Sequence, residues 1–241
     1  MLPTEKVFLT AEWRELLMLN FEVNPACLQH FVPAGTELDF FEGKTYVSLV
    51  GFLFRQTKLR GQFPIPFHSE FEEINLRFYV RRKSGGRVRR GVVFIAEIVP
   101  KLAIAKTARW VYGENYVCRR MRHRLQSKGS HTLVEYAWRG AGDCVLQAQF
   151  AGDPCLPLEG SVQQFITIHY WGYSRQKNGS SLEYQVGHPP WRVWNASQAI
   201  FTGDASDLYG KELAQIVSRA PDSAFVAEGS AVSVFNGVPL D

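Results

Sequence analysis

The chain has 241 residues, 46% of them apolar and 21% charged, with a formal net charge of +4. This composition excludes a disordered chain, and seventeen Phe, nine Tyr and six Trp suffice to fill a sizeable core. No apolar run approaches the roughly 20 residues of a membrane helix, and Met1 to Lys6 lacks an apolar signal core, so a soluble cytoplasmic protein with no membrane partner is expected.

In chain order, Thr10 is placed to cap a short helix holding Trp13, Leu16 and Leu17, and Met18 to Val23 then reads as a strand. Asn24-Pro25 starts a helix, with Asn as cap and Pro at the first helical position; it carries Cys27, Leu28 and Phe31 and stops before Pro33-Ala34-Gly35. Leu38 to Lys44 is strand, turn, strand. Thr45 to Phe54, rich in β-branched and aromatic residues, is a buried strand. Residues 55–69 are irregular, with Gly61, Pro64 and Pro66.

The stretch Glu73 to Val80 alternates without a break. Ile74, Leu76, Phe78 and Val80 form one face, and Glu73, Asn75, Arg77 and Tyr79 the other, because a strand sends successive side chains to opposite sides. Ser84-Gly85-Gly86 turns the chain into a return strand, Gly91 to Ile98. The pairing puts Arg81, Arg82, Lys83, Arg87, Arg89 and Arg90 at a solvated hairpin tip. No aromatics interleave with these charges, so no nucleic-acid partner is expected.

Lys101 to Tyr112 has helical spacing, with Leu102, Ala105 and Arg109 on one side and Gly113 as its stop. Tyr116 to Gln126, Thr132 to Arg139 and Cys144 to Phe150 are strands; Ser161 caps a short helix; Lys177 to Ser180 turns into Leu182 to Val186. His188-Pro189-Pro190-Trp191 is a rigid turn that fixes an imidazole and an indole. Asp207 to Gly210 is a helical turn, and Ser223 to Ala227 and Val232 to Phe235 are a closing pair of strands. The pattern predicts an α+β protein, mainly antiparallel β, in one domain spanning residues 1–241.

Catalytic signatures are absent: there is no P-loop, no G-x-S-x-G, no H-E-x-x-H and no GxGxxG between strand and helix. Cys27, Cys118, Cys144 and Cys155 have no CxxC spacing and read as free, buried or half-buried thiols. The histidines are scattered, so neither a metal nor a cofactor is expected. The row Glu73, Asn75, Arg77, Tyr79 has two readings. It is the wet face of a sheet, or it is a wall able to fix a carboxylate or carbonyl, with Arg as charged fork, Asn as donor and acceptor and Tyr as hydroxyl. Facing a lumen, Glu73 would need Arg77 as partner or would carry a raised pKa.

These pieces resemble the YqjF-like family, domain of unknown function 2071. The matching segments are Trp13 with Leu16-Leu17, Val23-Asn24-Pro25, Val32 to Gly35, Glu73 to Val80, Gly91 to Phe94, Tyr112-Gly113, Tyr116, His188 to Trp191 and Pro221 to Ala224. The family is similar, more distantly, to acetoacetate decarboxylase. That likeness implies a closed or cone-like β-barrel with a few peripheral helices, and it turns the polar row into a cavity wall, with Tyr116 and His188 nearby. In the decarboxylase a nucleophilic lysine follows a segment just after a helix. Here that segment is Gly113 to Tyr116, and Tyr116 stands at the lysine position, so Schiff-base decarboxylation is not expected. Where relatives show an acidic-basic-Tyr triplet, this chain has Ile168-His169-Tyr170. The expected partner is a small anionic or carbonyl-bearing molecule, bound, or processed with Glu73 or His188 as acid/base; the alternative is a structural protein with a filled core. The sequence specifies no oligomeric state.

Overall fold

A computed structural model describes residues 6–64 and 69–240. The first half contains β1 (Val7–Val23), α1 (Pro25–Leu28), β2 (Glu37–Leu38), β3 (Thr45–Leu59), β4 (Phe63–Pro64), β5 (Phe71–Ser84), β6 (Arg87–Val99) and α2 (Leu102–Tyr112). There follow β7 (Tyr116–Cys118), β8 (Met121–Lys128), β9 (His131–Arg139), β10 (Asp143–Ala151), α3 (Val162–Thr167), β11 (Trp171–Arg175) and β12 (Ser181–Gly187). The chain closes with β13 (Val193–Asn195), β14 (Ser197–Thr202), α4 (Ser206–Val217), β15 (Ser223–Phe235) and β16 (Val238–Leu240). Pro66 and His68, and the side chain of Arg109, lie outside the described residues.

Strands β15, β1, β3, β5, β6, β11 and β12 form a ring, since β12 pairs back onto β15. Long antiparallel ladders run from β15 to β6. The β11–β12 hairpin closes the ring through two residue pairs on each side: Trp171 and Gly172 against Gly91 and Val92, Val186 and Gly187 against Val234 and Ser233. So narrow a closure of long strands gives a cone-like ring rather than a regular barrel. A smaller sheet, ordered β14-β10-β9-β8, packs outside.

The two faces of β5 divide between two cores. Ile74, Leu76, Phe78 and Val80 pack outward with Tyr136, Trp138 and Leu146 of the second sheet and Tyr209, Leu213 and Val217 of α4. The inner face belongs to a separate aromatic cluster with Phe52, Phe54, Phe71, Phe165 and Trp191. The sheets touch closely at Gly51: a Cβ there would lie 2.7 Å from the Tyr136 ring.

Residues 10–17 are strand, not helix. Glu15 takes a positive φ, and the β1–β3 register shifts between Arg14 and Leu17. This bulge resets the alternation, so Trp13, Leu16 and Leu17 mimic a helical spacing. Ser223 to Phe235 is one strand rather than two, because Gly229 passes the bend at φ 80; a Cβ there would meet the Trp13 carbonyl at 1.9 Å. The helical turn at Asp207 extends through α4 to Val217 across a non-helical Gly210, whose presence reads as a stop. The strand from Tyr116 breaks at Arg119-Arg120, where the chain leaves the ring for the second sheet. In α2, Ala105 is buried but Leu102 is exposed. Cys155 is exposed, unlike the other three cysteines. The arginines near the hairpin tip are not simply solvated: Arg81 pairs with Glu37, Arg82 and Arg89 with Glu183, and Arg90 with Asp39. No helix among the described residues is long and apolar enough to cross a membrane.

Candidate functional site

The inner face of the ring encloses a cavity of about 230 Å³. Its walls are largely aromatic and aliphatic, with Trp13, Phe52, Phe54, Phe94 and Trp191 among them. Ala103 of α2, an exposed residue, is also among its lining residues. β5 runs along one wall and places Glu73, Asn75 and Arg77 on it, two residues apart. Glu73 and Arg77 are four residue steps apart on the strand, about 13 Å along the backbone, so the cavity has an acidic end and a cationic end.

The acidic end is built by register. Asn75 stands opposite Glu97 on β6, and Glu97 opposite Tyr116 on β7, which sets the three in a row across the sheet. Glu114, two residues before Tyr116, joins them. Asn75 donates to Glu73 Oε1 at 3.1 Å and Tyr116 donates to Glu73 Oε2 at 3.3 Å. Tyr184 donates to Glu114, and Glu97 shares a hydrogen bond with Glu114. Burial lifts all three carboxyls, Glu73 to about 8, Glu114 to about 7 and Glu97 well above the usual range, and their mutual repulsion raises Glu73 and Glu97 further. At neutral pH Glu73 is therefore largely a neutral acid able to donate a hydrogen bond, and Glu97 is shifted in the same direction.

The other end is cationic. Arg77 is 8% exposed, and among the described residues no carboxylate lies within ion-pair reach of it. Its Nη2 faces the Met18 sulfur at 3.7 Å, its Nε is buried without a partner, and its guanidinium lies 5.9 Å from the Tyr79 ring centroid. Two imidazoles stand on this side. His188 stacks on Trp191 at 4.0 Å and donates from Nδ1 to the Pro189 carbonyl at 2.8 Å; burial, with help from the Arg77 charge, drives its pKa down to about 4. His169 lines the cavity beside Thr167, and burial lowers its pKa as well. No lysine is among the described residues lining the cavity.

Sequence comparison now places the chain. The profile of a family described as an uncharacterized conserved protein, DUF2071, matches residues 10–231. The chain belongs to that family. It is 24% identical over 203 residues to the uncharacterized protein YqjF of Bacillus subtilis (strain 168), covering 82% of this chain and 80% of that one. In fold it is similar to acetoacetate decarboxylase from Legionella pneumophila (TM-score 0.67, 13% identity, 97% of this chain and 87% of that one). It is also similar to the enduracididine biosynthesis enzyme MppR complexed with pyruvate (TM-score 0.66, 13% identity, 100% and 92%). A third fold neighbour is an acetoacetate decarboxylase-like enzyme from Sphingomonas wittichii RW1 (TM-score 0.65, 15% identity, 97% and 93%). The α+β, mainly antiparallel, cone-like architecture expected for the DUF2071 chain is thus the one it has.

Of the six residues singled out in the sequence, Glu73, Asn75, Arg77, Tyr116 and His188 line the cavity. Tyr79 does not. It lies beneath the cationic end, its hydroxyl 2.5 Å from Ser48 Oγ, and Ser48 donates in turn to Asn20 Oδ1 at 2.6 Å. Glu73 takes Asn75 and Tyr116 as partners rather than Arg77, which answers the choice its burial posed in favour of a raised pKa. Sequence reasoning gave no role to Glu97 or Glu114, and it met His169 only as the centre of the Ile168-His169-Tyr170 triplet. Glu97 carried a signal: it is the one charge in Gly91 to Val99, an otherwise apolar strand. The Asp39 partner of His169 is 130 residues away, and no local pattern could have joined them.

Proposed function

We propose that the cavity binds a small, partly apolar carboxylate, with the carboxylate on Arg77 and the rest of the molecule in the apolar space toward the acidic end. One observation carries this reading: Arg77 is buried, charged and without a carboxylate, while three glutamates in the same cavity bond to tyrosines, to Asn75 and to one another. A buried charge is expensive unless paired, and a planar guanidinium takes a carboxylate through two parallel hydrogen bonds. With Glu73 protonated and Glu97 shifted toward its neutral form, Arg77 faces a ligand anion with little competition from the protein's own carboxylates. The pyruvate in the fold neighbour MppR is a molecule of this class.

A second reading, acid/base catalysis on the same ligand, is supported by Glu73. Burial lifts its pKa to about 8, against the opposing pull of the bond it accepts from Tyr116, and makes it a proton donor at neutral pH. Decarboxylation through a lysine Schiff base is not part of the proposal, since a tyrosine and not an amine stands at position 116. A melting-temperature screen against C3 to C6 carboxylic acids tests the binding reading. The expected result is stabilisation by some acids of the panel and by none of the matching primary alcohols; stabilisation by neither sinks it.

A further inference from the structure

Beyond Arg77, the cationic end contains a second orphaned polar atom of opposite character. His169 Nε2 lies 3.1 Å from Asp39 Oδ2, and that same oxygen pairs with Arg90 at 3.2 Å. Both His169 and Asp39 are buried. A carboxylate held by an arginine accepts hydrogen bonds, so the proton of the neutral imidazole sits on Nε2. Nδ1 is then a bare lone pair. It is buried and has no partner among the described residues, on a residue that lines the cavity. The ring is held on its other sides by Tyr79 at 4.7 Å and Phe165 at 4.9 Å between centroids. Tyr79 is also the ring beneath the Arg77 guanidinium, at 5.9 Å. One aromatic floor thus carries an unsatisfied donor, Arg77 Nε, and an unsatisfied acceptor, His169 Nδ1.

From this pair we infer that the ligand is a hydroxy acid rather than a keto acid: its carboxylate satisfies Arg77 and its hydroxyl donates to His169 Nδ1, with Asp39 as the positioning residue that fixes the tautomer. The inference rests on the reading of Arg77 as a carboxylate anchor. A keto oxygen brought to Nδ1 would set two lone pairs against each other, and an unsubstituted acid would leave Nδ1 buried and unsatisfied. Sites that hydrogen-bond a substrate hydroxyl reject analogues lacking it for this reason. Among the described residues, Arg77 and Arg90 are the cations that face His169, and both work against its protonation, while Asp39 is the one acid that bonds to it.

The test uses calorimetric titration of the full chain with 2-hydroxybutanoate, 2-oxobutanoate and butanoate, in wild type and His169→Phe. Phenylalanine keeps the ring against Tyr79 and Phe165 and removes the acceptor. In wild type the hydroxy acid should bind about tenfold more tightly than the other two, the worth of one well-placed hydrogen bond. In His169→Phe the three should converge. Equal binding of all three acids in wild type, or a hydroxy-acid preference that survives in His169→Phe, overturns the inference and leaves the Arg77 anchor standing. Binding of none overturns both. Should His169→Phe fail to fold, long-range ¹H–¹⁵N spectra of wild type supply the answer. A buried imidazole protonated on Nε2, whose bare Nδ1 signal moves on adding 2-hydroxybutanoate and not butanoate, supports the inference. A protonated Nδ1, or no movement, rejects it.

Discussion

Arg77 Nη2 faces the thioether sulfur of Met18 across 3.7 Å, a soft and weak acceptor for a buried guanidinium. The pairing leaves the charge largely unsolvated, and a buried ion without its counter-ion costs several kcal/mol. Replacing it with an unbranched apolar side chain should therefore make the empty protein more stable. Arg77→Met is expected to melt about 2–8 °C higher than wild type without ligand, while losing carboxylate-dependent stabilisation. A lower melting temperature would mean that Arg77 is a structural cation whose partner lies elsewhere.

The acidic end makes stability depend on pH in an unusual direction. Glu73 has a folded pKa near 8 against an ordinary value of 4.5. The native state thus binds the proton more tightly than the unfolded chain. Its contribution is complete below about pH 4.5 and is lost as pH rises through about 8. Glu114, near 7, acts in the same sense. The buried histidines oppose it only below their unfolded value of 6.5, where burial makes protonation costly. Between pH 6.5 and 8.5 the melting temperature should fall steadily, and Glu73→Gln should flatten that slope. Slopes that match in the two proteins would show that Glu73 ionises as it does in water.

Close packing behind the site supplies a third check. A Cβ on Gly172 would lie 2.1 Å from Cζ of Tyr184, the ring whose hydroxyl donates to Glu114. Gly172→Ala must push Tyr184 from the cavity wall, at a cost of about 1–3 kcal/mol. The expected loss in melting temperature is roughly 2–10 °C. An unchanged melting curve would show that Tyr184 does not pack there.

Lysine chemistry can be probed directly. Borohydride added with 2-oxobutanoate should leave the mass of the protein unchanged, because no lysine is among the described cavity-lining residues. A reduced adduct mapped to a lysine would contradict the account of position 116.

The legible parts of this chain were those governed by short-range rules. Asn24-Pro25 capped its helix, with Asn24 Oδ1 accepting from Ala26 N at 2.9 Å, and Ser161 capped α3 through Gln164 N at 3.2 Å. The alternation of residues 73–80 correctly separated two packing faces. What escaped were features set by partners far along the chain. The bulge at Glu15 is read out by Tyr136, whose hydroxyl reaches the Glu15 carbonyl at 2.9 Å. Glu97 matters because register puts it beside Asn75 and Tyr116, and Glu114 because it hydrogen-bonds with Glu97 and Tyr184. Tyr79 alternates in step with Arg77, yet the contact with Ser48 turns it out of the cavity and under the cationic end.

The central claim is that Arg77 anchors a carboxylate, and the most direct test is a comparison of one ligand with its uncharged twin. The best-binding acid from the thermal screen and its primary amide are titrated into wild type and Arg77→Met, and Kd is read for each. The account predicts that wild type favours the acid over the amide by about tenfold or more, the worth of a hydrogen bond to a charged group. In Arg77→Met this preference should vanish, with Glu73 and Asn75 still in place. An acid preference of the same size in both proteins would contradict it.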